Sequence, residues 1–183
     1  MGIYYSCITN LDISNRGLIK LPDNINKYIN LKELDCCDNQ ITSIDNLPLQ
    51  LNGLSCWNNQ ITSLDNLPPN LKYLNCNSNQ LSSLDNLPPK LEVLYCWKNK
   101  ITSLDNLPPN LKFLYCGNNQ ITSLDNLPST LKELNCRYNK ITSLDNLPPK
   151  LKILYCNDNP LKYDFEPTIK NIRNYNASRM LSS

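Results

Sequence analysis

Apolar side chains recur along this chain with one long period. Segments of 20 residues open at Leu31, Leu51, Leu71, Leu91, Leu111, Leu131 and Leu151. Written out, the unit is L-x-x-L-x-C-x-x-N-x-I-T-S-L-D-N-L-P-P-x, as in LKYLNCNSNQLSSLDNLPPK from Leu71 to Lys90. Six copies are complete and a seventh decays after Pro160. An irregular unit precedes them. In it Ile8, Leu11, Ile13, Leu18 and Leu21 hold the apolar places, Arg16 stands where the others have Asn, and the return to Leu31 takes 23 residues.

Counting the opening Leu as place one, the alternation at places four to six, such as Leu94-Tyr95-Cys96, predicts a short strand. It turns the fourth and sixth residues inward and leaves the third, fifth and seventh facing out. No single coil can bury its own Leu and Ile residues, so the coils stack. Parallel strands about 4.8 Å apart give a sheet about 35 Å across for eight coils. The Asn at place nine (Asn39, Asn59, Asn79, Asn99, Asn119, Asn139, Asn159) follows each strand where the chain turns. A buried column of such amides is expected to bond backbone groups of its own and the next coil. The D-N-L-P-P tail argues against a helix, because proline cannot donate and holds the chain extended.

The irregular unit and the two ends depart from this regime. Pro22-Asp23-Asn24 is expected to start a short helical turn. A stack also exposes an open core at each end and needs covers. Ile3 to Cys7 is expected to supply a strand-like one. Thr168 to Leu181 reads as a capping helix, with Ile169, Ile172 and Met180 on one stripe and Lys170, Arg173 and Arg179 outside. The organisation expected is a cap and irregular first repeat over residues 1–30, regular repeats over 31–160, and a carboxy-terminal cap over 161–183 with its helix at 168–181.

The joint spacing of Leu, Cys, Asn and Ile resembles the leucine-rich-repeat family, in its short 20-residue class with L-P near the end of each unit. The resemblance covers roughly residues 8–161. It extends to the repeats of bacterial type-III secreted effectors and, through the Cys-bearing D-N-L-P-P form, to repeat proteins of giant amoebal viruses. It implies a leucine-rich-repeat solenoid, α/β by convention, with a parallel sheet on one face and extended or turn segments on the back. It further implies a non-catalytic scaffold for protein–protein interaction, or else a structural, self-assembling component such as a virion or host-interaction protein. The ubiquitin-ligase domain of many such effectors is not expected in the residues after the last repeat.

Composition narrows the chemistry. In 183 residues, 18 basic and 16 acidic side chains leave a net charge of +2, too small to draw in nucleic acid or an anionic membrane. Without histidine the chain has no ordinary general base near neutral pH and no imidazole ligand. With no nucleophile elbow and no phosphate-cradling glycine loop, neither enzymatic activity nor a cofactor is expected. The amino end has no signal-peptide pattern, although Gly2 and Ser6 fit a loose acylation motif whose single chain would anchor only marginally.

Three columns tempt a chemical reading. Cys36, Cys56, Cys76, Cys96, Cys116, Cys136 and Cys156 occupy inward place six, where a small apolar residue packs well. A straight file of thiols lacks the tetrahedral convergence of a metal site. So many free thiols favour a reducing compartment, and the site of action expected is intracellular, in the cytoplasm, and that of a host cell if the protein is viral. Asp45, Asp65, Asp85, Asp105, Asp125 and Asp145 are expected to accept turn amides on the back rather than hold a row of cations. Lys32, Lys72, Lys112, Lys132 and Lys152, interrupted by Asn52 and Glu92, read as a solubilising rim.

The repeats supply their own comparison. Places eleven to eighteen barely change from copy to copy, while the combination at outward places three, five and seven changes in every one. Variation therefore sits on the open face of the sheet. Trp57, Tyr73, Tyr95, Trp97, Phe113, Tyr115 and Tyr155 lie there, flanked by Lys98, Arg137 and Tyr138. Trp, Tyr and Arg concentrate binding energy at interfaces. These ten residues are the candidate binding site, and a protein or peptide is the expected partner, in preference to nucleic acid or membrane. Stacking of the rings merely to brace the sheet is the competing reading.

Overall fold

The structure, a computed structural model, describes residues 3–180. It contains one parallel sheet of eight three-residue strands in sequence order. These are β1 (Asn10–Asp12), β2 (Glu33–Asp35), β3 (Gly53–Ser55), β4 (Tyr73–Asn75), β5 (Val93–Tyr95), β6 (Phe113–Tyr115), β7 (Glu133–Asn135) and β8 (Ile153–Tyr155). Neighbouring strands pair in the same register throughout, place for place, as in Tyr73 with Val93 and Val93 with Phe113. A uniform repeat length leaves no other register open, since a one-residue slip would turn every Leu at place four to solvent.

Leu at places one and four, Cys at six, Ile or Leu at eleven and Leu or Ile at fourteen form one continuous core. Leu94, Cys96, Leu114 and Cys116 are completely buried. From β2 to β8 the back runs through turns without a helix, as the proline spacing predicts. Each regular coil closes by a turn in which the next place-one amide donates to a proline carbonyl, for example Leu111 N to Pro108 O at 3.1 Å, whereas at the end of the first coil Leu31 N donates to Tyr28 O.

The place-nine amides form a spine between the coils. Asn119 Nδ2 donates to the carbonyls of Cys96, Cys116 and Gly117, while its Oδ1 accepts the Ile101 amide at 3.0 Å. From Cys36 to Cys136 each place-six carbonyl is in turn shared by two amides, Cys96 O by Asn99 and Asn119 and Cys116 O by Asn119 and Asn139. The first coil lacks its own Asn. There Asn39 Oδ1 takes the Arg16 and Leu18 amides, and its Nδ2 reaches back to Ile13 O.

The aspartate column is hydrogen-bonded differently from the sequence expectation. Asp65 and Asp125 accept the hydroxyl of the Ser two residues earlier and the side-chain amide of Asn86 and Asn146 in the following coil. Their backbone N–H groups donate to the same serine oxygens. Side chains rather than turn amides thus satisfy the carboxylates, because the Asn at place sixteen, left-handed from Asn46 to Asn126 (φ 61–64°) but not at Asn146, aims its amide at the previous coil. These hydrogen bonds hold the Asp65 and Asp125 carboxyls below the usual range. The lysine rim is partly paired, with Lys112 at 2.6 Å from Glu92.

Both covers are helical. At the amino end the expected strand-like segment is instead a helical turn, α1 (Ile3–Ser6). Tyr5 packs edge-on against Tyr28 at 4.8 Å and its hydroxyl accepts from Asn24, which ties the segment to the 3-10 turn region rather than to β1. The expected turn near Asn24 is a 3-10 turn at Ile25–Lys27. At the other end α2 spans Ile169–Met180, with Thr168 accepting the Asn171 amide at its start. Ile172 is fully buried beneath the last coil. Arg173 reaches the carbonyls of Pro148 and Pro149, and Arg179 lies 3.7 Å from Asp145, so two of the outer basic residues fasten the helix to the solenoid. Gly2, the Leu181 end of the expected helix and the Met180 side chain lie outside the described residues.

Candidate functional site

The varied places three, five and seven meet on the sheet face opposite the core. Several side chains there lean toward the next coil and cover part of it, whereas the Tyr73 hydroxyl bonds Ser55 in the coil before. The Glu33 carboxylate lies over Gly53, and the Trp97 indole lies over Gly117. A methyl group on Gly117 would sit 2.0 Å from the Trp97 ring, so that small residue is what lets the indole lie flat.

The candidate residues resolve into three contacting groups. Tyr73, Tyr95 and Tyr115 form a row, tilted at 5.8 Å for the first pair and stacked at 4.4 Å and 4° for the second. Burial and the neighbouring Glu133 carboxylate, which hydrogen-bonds its hydroxyl, push the Tyr115 phenol upward. Trp97 meets Tyr138 edge to face at 6.1 Å. The Arg137 guanidinium stands 4.7 Å over the Tyr155 ring, and its Nε donates to Asn157. Trp57 and Phe113 make no ring contact among the described residues. Trp57, Lys98, Tyr138 and Tyr155 are exposed, while Tyr73, Tyr95, Trp97, Phe113, Tyr115 and Arg137 are half-buried. Each ring pair contributes about 0.5–1.5 kcal/mol beyond its area, so the competing stacking role holds for the tyrosine row.

One outward residue is misplaced by the sequence reading. Cys37 at place seven is buried, its backbone N–H donating to Asp35 Oδ1, because the forward lean lays it against the third coil. Gly117, Glu133 and Asn157 were not singled out. The signal for Gly117 was a missing side chain directly downstream of Trp97, meaningful only once the lean is known.

A backbone feature also escaped. Place eight is left-handed in every coil, at φ 52–60° for Asn15, Asp38, Asn58, Ser78, Lys98, Asn118, Tyr138 and Asp158. Asn and Asp tolerate that region, whereas other side chains cost about 1 kcal/mol more. Lys98 and Tyr138 thus stand where the scaffold alone would take Asn. Lys98→Asn is expected to raise stability by about 0.5–1 kcal/mol, measured by urea unfolding. A loss of stability would show that Lys98 braces the fold.

Charge on the face is uneven. At its amino end Asp12, Glu33 and Asp35 line a shallow hollow with Asn10, Leu11, Leu34 and Ser55, and the Arg16 guanidinium donates to the Asp12 carbonyl at its edge. Toward the other end stand Lys98 and Arg137, neither of them salt-bridged among the described residues. No group of three or more His, Cys, Asp or Glu among the described residues is arranged to hold a metal ion. No helix among them is long and apolar enough to cross a membrane.

Residues 50–89 and 89–129 each match the family model described as Leucine Rich repeats (2 copies). Comparison with curated protein sequences gives no match. Among solved structures, a Shigella effector LRR domain is 29% identical with a TM-score of 0.75, over 96% of this chain and 77% of that one. Internalin C2 from Listeria monocytogenes is 28% identical with a TM-score of 0.85, over 90% of this chain and 77% of that one. YopM from Yersinia enterocolitica is 31% identical with a TM-score of 0.62, over 84% of this chain but 43% of YopM, so the chain spans less than half of that protein's length.

Proposed function

We propose, from the premise that this chain is a leucine-rich-repeat solenoid with repeats like those of bacterial effectors and internalins, that its varied sheet face captures a protein or peptide partner without chemistry. Solenoids of this kind are generally non-catalytic scaffolds for protein–protein interaction. The observation that carries the reading is the contrast within each coil. Places eleven to eighteen repeat almost unchanged, while the open face gathers Trp57, Tyr73, Tyr95, Trp97, Phe113, Tyr115, Tyr138 and Tyr155 around Lys98 and Arg137. Two of these, Lys98 and Tyr138, occupy left-handed positions at a cost to the fold, as residues retained for contact do. Burial of Trp, Tyr and Arg anchors supplies most of the energy of such interfaces.

Action inside a cell, that of a host if the protein is viral or secreted into one, belongs to the same proposal. Cys36, Cys37, Cys56, Cys76, Cys96, Cys116, Cys136 and Cys156 form no disulfide, which suits a reducing compartment. The test is capture of a partner from the native cell by immobilised protein, compared with the Trp97→Ala and Tyr138→Ala variants, whose side chains leave the core untouched. Loss of the captured protein with unchanged thermal unfolding supports the proposal. Undiminished capture by both variants removes the face from the site.

A further inference from the structure

Place seven alternates large and small along the sheet. Trp57, Trp97 and Arg137 stand 40 residues apart, with Asn77 and Gly117 between them. The row is therefore ridged at every second coil, a period twice that of the fold. Adjacent strands are about 4.8 Å apart, which sets the ridges about 9.6 Å apart and the outer two about 19 Å apart.

A polyproline II helix advances about 9.3 Å per three-residue turn, or about 18.6 Å over two turns. An extended strand repeats a side chain on one face about every 6.7 Å, and an α-helix turns every 5.4 Å. Neither of those periods keeps step with three ridges. Proline rings also stack readily on tryptophan, and the preformed helix loses little entropy on docking.

Charge sets the direction. The hollow at the amino end offers Glu33 and Asp35 to a cation, while Asp12 already has Arg16 beside it. Arg137, at the far end, is held by the neutral Asn157 and Tyr155 and keeps an unpaired charge among the described residues. From the second coil, at the centre of the hollow, to the seventh is five strand spacings, about 24 Å. Eight polyproline II residues cover about 25 Å.

We infer that the face binds a proline-rich segment in polyproline II form that lies across the strands, with a basic residue in the acidic hollow, prolines three residues apart on Trp57 and Trp97, and an acidic residue at Arg137. This deepens the proposed function and rests on it.

The probe is a synthetic nine-residue peptide with arginine first, prolines third and sixth, glutamate ninth and alanine elsewhere. Intrinsic fluorescence reads it directly, because the chain's two tryptophans are Trp57 and Trp97. A saturable change is expected, with affinity falling about tenfold or more when the prolines move to positions three and five, when the charged ends are exchanged, or in Trp97→Ala. Gly117→Ala, which keeps the indole but lifts it off the sheet, is expected to weaken binding as well while unfolding normally.

Binding that ignores proline spacing and charge order overturns the inference, as does preference for a labelled oligonucleotide. If no peptide binds while Trp97→Ala still abolishes capture of the native partner, the polyproline inference fails and the protein-binding face stands. If capture is also indifferent to Trp97, both fail.

Discussion

Raising the pH from 8 to 10 under reducing conditions is expected to unfold most of the solenoid, with the cysteine column as the cause. Burial pushes the Cys36, Cys76 and Cys116 thiols up to about 12, and those of Cys56, Cys96 and Cys136 well above the ordinary 9.0. In the unfolded chain the same thiols release their protons near 9.0. Above that pH the unfolded state binds fewer protons than the folded one, so stability is complete below pH 9 and drains away as the pH climbs toward 12. At pH 10 each thiol costs a little over about 1 kcal/mol, and six in one core cost on the order of 8 kcal/mol. That is comparable to the whole stability of an ordinary domain. Urea unfolding at a series of pH values measures the slope, and a Cys76→Ala, Cys96→Ala, Cys116→Ala variant is expected to halve it. A stability flat from pH 8 to 10, or a slope the triple variant leaves unchanged, would show that the column does not carry the effect.

Asn119→Ala is expected to cost about 4 kcal/mol, far more than the loss of any single exposed ring. The Ile101 amide loses its acceptor outright and is stranded in the core, where an unpaired donor costs about 1–3 kcal/mol. The carbonyls of Cys96, Cys116 and Gly117 each lose one donor, and each retains another, from Asn99, Asn139 and the Lys98 amide respectively. The residual bonding explains why the cost stops short of four orphaned groups. Because a solenoid is held together by nearest-neighbour contacts, the break is expected to divide unfolding into two transitions, on either side of the boundary between the fifth and sixth coils. Hydrogen exchange resolved by segment distinguishes this from uniform weakening; a single transition within about 1 kcal/mol of the parent would mean that the spine is dispensable there.

The period of 20 residues carried most of the fold. An unvarying coil length forces parallel strands in register, and the alternation Leu94-Tyr95-Cys96 says which side chains enter the core, as the complete burial of Leu94 and Cys96 bears out. The Asn spine was equally legible, since a polar residue repeated beside buried ones must find backbone partners. The ends were harder. Where periodicity stops, so does the register argument, and Ile3–Ser6 became a helical turn through contacts of Tyr5 with Tyr28 and Asn24 that no local pattern announces.

On the open face the sequence by itself determined which residues share the sheet and which coils carry rings, because that follows from place number alone. Only the tertiary structure decided how they combine. The forward lean of outward side chains puts Trp97 on Gly117, stacks Tyr95 on Tyr115, sets Arg137 over Tyr155 and buries Cys37. It likewise decided that Lys98 and Tyr138 sit on left-handed backbone. The physical reason is the same in each case: periodic burial is a property of one coil repeated, whereas lean, stacking and strain belong to pairs of different coils and arise only when they are in contact.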